Sequence, residues 1–132
     1  MKRPDSNPKS RLGMKKPPLQ LVPPVAVIIE SMAFKDGAEK YGAYNWRRKG
    51  VAASVYIGAL LRHVYGWWDG EELSESRCHH LAHARACLAI ILDAASTNTL
   101  IDERPAPGGA SELIAKLTEK TKRRKNRRKR KR

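Results

Sequence analysis

Between Pro24 and Ala95 the apolar residues recur at steps of three and four, the period of a helix with one face turned to a core. Val25, Ile28, Ile29, Met32 and Ala33 form the first such stripe, and the spacing predicts a helix from Pro24 to Tyr41. Proline is tolerated in its first turn, and Gly42 suits the backbone conformation in which helices end. A second stripe follows Ser54, a good N-cap, with Val55/Tyr56, Ala59/Leu60, His63/Val64 and Trp67/Trp68 as its steps. The polar run DGEELSES predicts a turn, after which Ser74 or Ser76 caps a third helix. That helix carries Leu81, Ala84, Leu88, Ile91 and Leu92 and reaches about Ala95, while Trp67 and Trp68 read as core residues. There is no run of period two and no internal repeat. The expected class is all-α, a small antiparallel helical bundle.

Charge divides the chain more sharply than hydropathy does. Its formal net charge is +14 over 132 residues, but the excess is at the ends. Residues 1–24 hold six Lys/Arg against Asp5, residues 25–104 hold nine against ten acids, and residues 105–132 hold twelve against Glu112 and Glu119. The expected organisation is a basic, proline-rich disordered arm over 1–23, an all-α domain over 24–104, and a third segment over 105–132. In this last segment a linker precedes a short helix, ELIAKLTEK, capped by Ser111, and then a polybasic tail of like charges that cannot bury itself. No stretch has the apolar length of a membrane span and no secretory signal is visible, so no membrane partner is expected. Cys78 and Cys87 are too far apart along one helix to pair, and both read as reduced thiols.

Candidate chemistry concentrates in the middle. All four histidines, His63, His79, His80 and His83, fall within 21 residues, and HHLAH sets His80 and His83 three apart on one helical face. The DGEE turn returns the second helix antiparallel to the third, so His63 can approach that face. A histidine on a half-buried helix is more often a hydrogen-bonded core residue than a ligand, but clustering makes His63, His80 and His83 candidate metal ligands. Neither paired cysteines nor HExxH is present, and the adjacent His-Asp of an HD-type hydrolase is missing.

The strings GAEKYGAYNWR, SVYIGALLRHVYGWWDGEE and HHLAHARACLAIILD resemble the phage-borne dATP/dGTP diphosphohydrolase N-terminal domain family, a MazG-like group, over about residues 22 to 95. The resemblance implies an all-α nucleotide pyrophosphohydrolase that splits a purine deoxynucleoside triphosphate into monophosphate and pyrophosphate with a divalent metal, and a cytoplasmic location, in the bacterial host if phage-encoded. MazG-like enzymes hold metal through E-x-x-E and E-x-x-D helices. Here the corresponding stretch reads His80-Leu-Ala-His83; carboxylates suit Mg²⁺ and imidazoles suit Mn²⁺, Co²⁺ or Zn²⁺, and the expected cofactor is a divalent metal, Mg²⁺, Mn²⁺ or Co²⁺.

On this reading Glu39, Asp69 and Glu72 are the catalytic carboxylates. Lys40, Arg47 and Arg62 supply cationic contacts to phosphate, Tyr44 or Trp46 a stacking face, and Asn45 an edge for the base. For Trp46 the alternative is a staple holding the loop between the first two helices to the core. Tryptophan-rich faces on so thin a bundle predict a homo-oligomer, a dimer or larger. A second function class stands beside the enzyme: a non-catalytic nucleic-acid-binding or accessory protein of a phage. Its contacts would be the tail cations Lys122, Arg123, Arg124, Lys125, Arg127 and Arg128, acting without sequence preference.

Overall fold

The computed structural model describes residues 6–132, the side chain of Thr121 excepted, so the first five residues of the expected arm lie outside the described residues. The chain divides into two compact units, residues 1–102 and 103–132.

In the first unit the arm has local helical structure where irregular chain was expected. Asn7 caps α1 (Pro8–Gly13) by accepting from the Lys9 amide, with Pro8 in the first turn, and a single 3-10 turn spans Leu19–Leu21. The bundle is made by α2 (Pro24–Tyr41), α4 (Ala53–Trp68) and α5 (His80–Ser96), with α5 packed against both of the others. A short helix, α3 (Trp46–Lys49), sits in the connection between α2 and α4. Gly42 closes α2 at φ 89°, its amide bonded to the Ala38 carbonyl.

Two features were not foreseen. Strands β1 (Val51–Ala52) and β2 (Leu100–Ile101) form a two-residue parallel pair that ties the start of α4 to the chain beyond α5. Gly50, at φ 73°, makes this approach possible, because a Cβ there would stand 3.1 Å from the Thr99 carbonyl oxygen. The cap of α5 is also neither Ser74 nor Ser76 but His79, whose Nδ1 accepts from the Leu81 amide. An isolated antiparallel bridge between Leu73 and His79 draws the turn closed and leaves the serines one turn short of the helix.

The core is built from alanine. Ala82, Ala84, Ala86 and Ala94 are the buried residues of α5 besides His80, and Ala33 of α2 packs against Ala82 and Ala86 beside Phe34. A second cluster joins Trp46, Val51 and Ala94. The expected leucine stripe is corrected: Leu88 and Leu92 are exposed, because α5 lies between two helices and its small side chains face them. Trp67 and Trp68 also lie outside the core, Trp68 with 81 % of its surface accessible, and Val25, Ile28, Ile29 and Met32 are exposed along α2. Among the described residues no helix is long and apolar enough to cross a membrane.

The second unit contains α6 (Ala110–Arg130). The short helix expected here runs on through the basic block, starting after Gly109 in a left-handed conformation, and its described side chains are all exposed.

Candidate active site

A cleft bounded by the C-terminal half of α2, the α2–α4 connection, α4 and α5 collects most of the candidate residues. Lys40, Tyr44, Asn45, Trp46, Arg62, His63, His80 and His83 all line it. Glu39, Asp69 and Glu72 do not; all three are exposed, and Asp69 caps the end of α4. The carboxylates at the cleft are instead Asp36, Glu71, Glu75 and Asp93.

At the floor of the cleft three imidazoles meet. His80, 7 % exposed, places Nε2 at 2.7 Å from Glu71 Oε1 and Nδ1 at 2.8 Å from His63 Nδ1. The His63 and His83 rings stack with centroids 4.6 Å apart, and His83 Nε2 lies 2.9 Å from Ser76 Oγ, which in turn contacts Ser74 Oγ. The backbone of α4 admits His80 because residue 66 is glycine: a Cβ there would fall 3.0 Å from His80 Nε2 and 3.1 Å from Cε1. Burial first, and then the neighbouring imidazoles and Arg62, hold His63 below the usual histidine value. Burial likewise lowers His83, helped by Lys40 and His80 against Asp36.

These contacts order the protons. An ionised carboxylate only accepts, so Nε2 of His80 carries the hydrogen that Glu71 binds. In the neutral cluster Nδ1 of His80 is then bare and accepts from Nδ1–H of His63. His63 is left with an unprotonated Nε2.

The same contacts bear on metal binding. Both His80 nitrogens and Nε2 of His83 are hydrogen-bonded, and among the described residues no three His, Cys, Asp or Glu side chains converge on a point. The structure brings His63, His80 and His83 together, but the arrangement does not fit a resident three-ligand metal centre.

At the other end of the cleft Asp93 gathers Trp46 and Arg47. Its carboxylate accepts from Trp46 Nε1 at 2.7 Å and from Arg47 Nε and Nη2, both at 2.8 Å. With Arg47 as the leading cause and Trp46 next, the carboxyl is pushed down to about 2. Trp46 is 7 % exposed and packs on Phe34, which makes it the staple of the α2–α4 connection rather than a stacking face. Arg47 is likewise engaged, with its guanidinium over the Tyr44 ring at 4.5 Å. Tyr44 keeps an exposed ring at the cleft, and Lys40 is paired with Asp36 at 3.0 Å, which raises its pKa.

Three residues of the site were not among its sequence candidates: Glu71, Gly66, and Ser76, which was read only as a helix cap. Glu71 was legible as one of two adjacent acids in DGEE, but only the turn geometry selects it over Glu72, which gives its backbone carbonyl to the His80 amide. Gly66 carries no signal in the sequence; its meaning lies in the His80 ring that packs against it.

No curated protein and no solved structure matches the chain. The family described as dATP/dGTP diphosphohydrolase, N-terminal, matches residues 6–104, three quarters of the sequence and all of the bundle. The chain belongs to the dATP/dGTP diphosphohydrolase N-terminal family.

Proposed function

We propose that the cleft hydrolyses a purine deoxynucleoside triphosphate to monophosphate and pyrophosphate, with His63 as general base, and that the protein works as a homo-oligomer. The observation that carries the reading is the Glu71–His80–His63 chain, which fixes a bare imidazole nitrogen in a cleft that also holds Arg62 and Lys40. Family membership supports a nucleotide hydrolase role.

Water is a poor nucleophile until a base takes its proton, and the triphosphate repels it until cations offset the negative charge. His63 Nε2 accepts the proton as the water oxygen bonds to the α-phosphorus. The bond from that phosphorus to the bridging oxygen breaks, and pyrophosphate leaves with the electron pair. Glu71 and His80 are positioning residues: they hold the His63 tautomer and stabilise the imidazolium that forms. Arg62 and Lys40 offset charge on the phosphates, and Tyr44 and Asn45 meet the base. A divalent ion enters with the triphosphate as part of the substrate.

The test is to incubate the purified chain with each deoxynucleoside triphosphate and Mg²⁺, Mn²⁺ or Co²⁺ and to measure pyrophosphate. Release from dATP or dGTP, lost in His63→Gln and shifted in pH profile by Glu71→Gln, is the expected result. Stepwise release of inorganic phosphate, or no product from any of the four nucleotides, would overturn the proposal.

A further inference from the structure

The 21-residue helix α6 presents an unusual charge distribution. From Lys122 to Arg130 eight of nine residues are Lys or Arg, the exception being Asn126. Successive residues turn by about 100°, so this stretch is cationic in every direction around the axis. All nine side chains are exposed, and among the described residues no ion pair neutralises them. Arg123/Arg127, Arg124/Arg128 and Lys125/Lys129 sit one turn apart with like charge, an arrangement that opposes the helix unless something anionic surrounds it.

A membrane surface does not meet that need. An interfacial helix inserts an apolar face beside its cationic one, and here the apolar positions Leu113, Ile114 and Leu117 end before the basic stretch begins. A groove walled by phosphates on both sides does meet it. The B-DNA major groove, about 12 Å wide, admits a helix of about 10–12 Å diameter, whereas the major groove of A-form RNA is too narrow. At about 1.5 Å per residue the basic stretch from Lys122 to Arg130 is about 14 Å long, enough for a straight helix seated in the groove to face the phosphates on both of its walls.

We propose that α6 lies in the major groove of duplex DNA, its cations reaching the phosphates of both strands without sequence preference. The interaction is independent of nucleotide hydrolysis.

The experiment measures anisotropy of the full chain on a mixed-sequence DNA duplex of roughly two turns, on double-stranded RNA of the same length, and on vesicles containing phosphatidylserine, from about 50 to 200 mM salt. Duplex DNA binds at least about tenfold more tightly than RNA, and affinity falls steeply with salt. Replacing Arg123, Arg124, Arg127 and Arg128 by Gln in the full chain lowers the magnitude of the log–log salt slope by about 3.6, at roughly 0.9 per phosphate contact. Equal affinity for DNA and RNA would remove the groove from the argument. A preference for vesicles, or a slope unchanged in the variant, would overturn the proposal.

Discussion

Gly66 shows how one missing atom positions a site. In an exposed helix, replacing glycine by alanine stabilises by about 1 kcal/mol, because alanine is the better helix former. In α4 the added methyl would meet the His80 ring at 3.0–3.1 Å. His80 is buried and held on both nitrogens, so it has little room to yield. Overpacking of this kind costs about 1–3 kcal/mol, and Gly66→Ala is expected to lower the urea midpoint rather than raise it. A raised midpoint would show that the ring moves freely.

The titrating groups add a prediction at the same scale. His63 and His83 have folded values below the ordinary 6.5, so the unfolded chain takes up protons first as pH falls. Their contribution is complete above pH 6.5 and is lost as pH drops through the depressed folded values. Asp93 acts in a different window: its contribution is present above the ordinary 3.8 and is lost as pH falls through about 2. Urea midpoints measured from pH 8 to 5 should therefore decline below 6.5, and the decline should flatten when His63 and His83 are both Gln. A parent profile that is flat over that range would refute the assignment.

Among the elements, α5 decides the fold, and its composition explains what the sequence made legible. All three bundle helices were visible in the step of three and four, because that period needs only local spacing. Which residues form the core was not visible, since the period marks an apolar face without saying whether a helix has one neighbour or two. With α2 and α4 both packed on it, α5 uses Ala82 and Ala86 against Ala33, and leucine is displaced outward. The paired strands were illegible because two residues carry no period. The histidine cluster was foreseen as a cluster, but its hydrogen-bond order, and the choice of Glu71 over Glu72, depend on the turn between α4 and α5. Ala82 is 1 % exposed, so Ala82→Leu should force α2 and α5 apart at a cost of about 1–3 kcal/mol, read by chemical denaturation. Leu92, 72 % exposed, should accept alanine with little change in the same assay, provided that no second copy covers it.

For the whole molecule, the alanine core leaves the large apolar side chains outside. Val25, Ile28 and Met32 follow one another along a single face of α2, and Leu61, Tyr65 and Trp68 are exposed on α4. Contiguous apolar surface of this kind is uncommon on monomers and marks places where another surface is buried. The chain's strong positive charge would keep separate copies apart, but most of it is in the basic segment beyond residue 104, whereas residues 25–104 are close to neutral. Residues 25–104 themselves therefore add little repulsion to pairing through α2. The expected result is a homo-oligomer, with a light-scattering mass at micromolar concentration that is a multiple of 14.8 kDa. Ile28→Glu together with Met32→Glu should move the mass toward 14.8 kDa with helicity retained, since both positions lie outside the buried clusters. A parent chain that is strictly monomeric across that concentration range would count against an interface on this face, and a double variant that unfolds would assign the stripe to the fold itself.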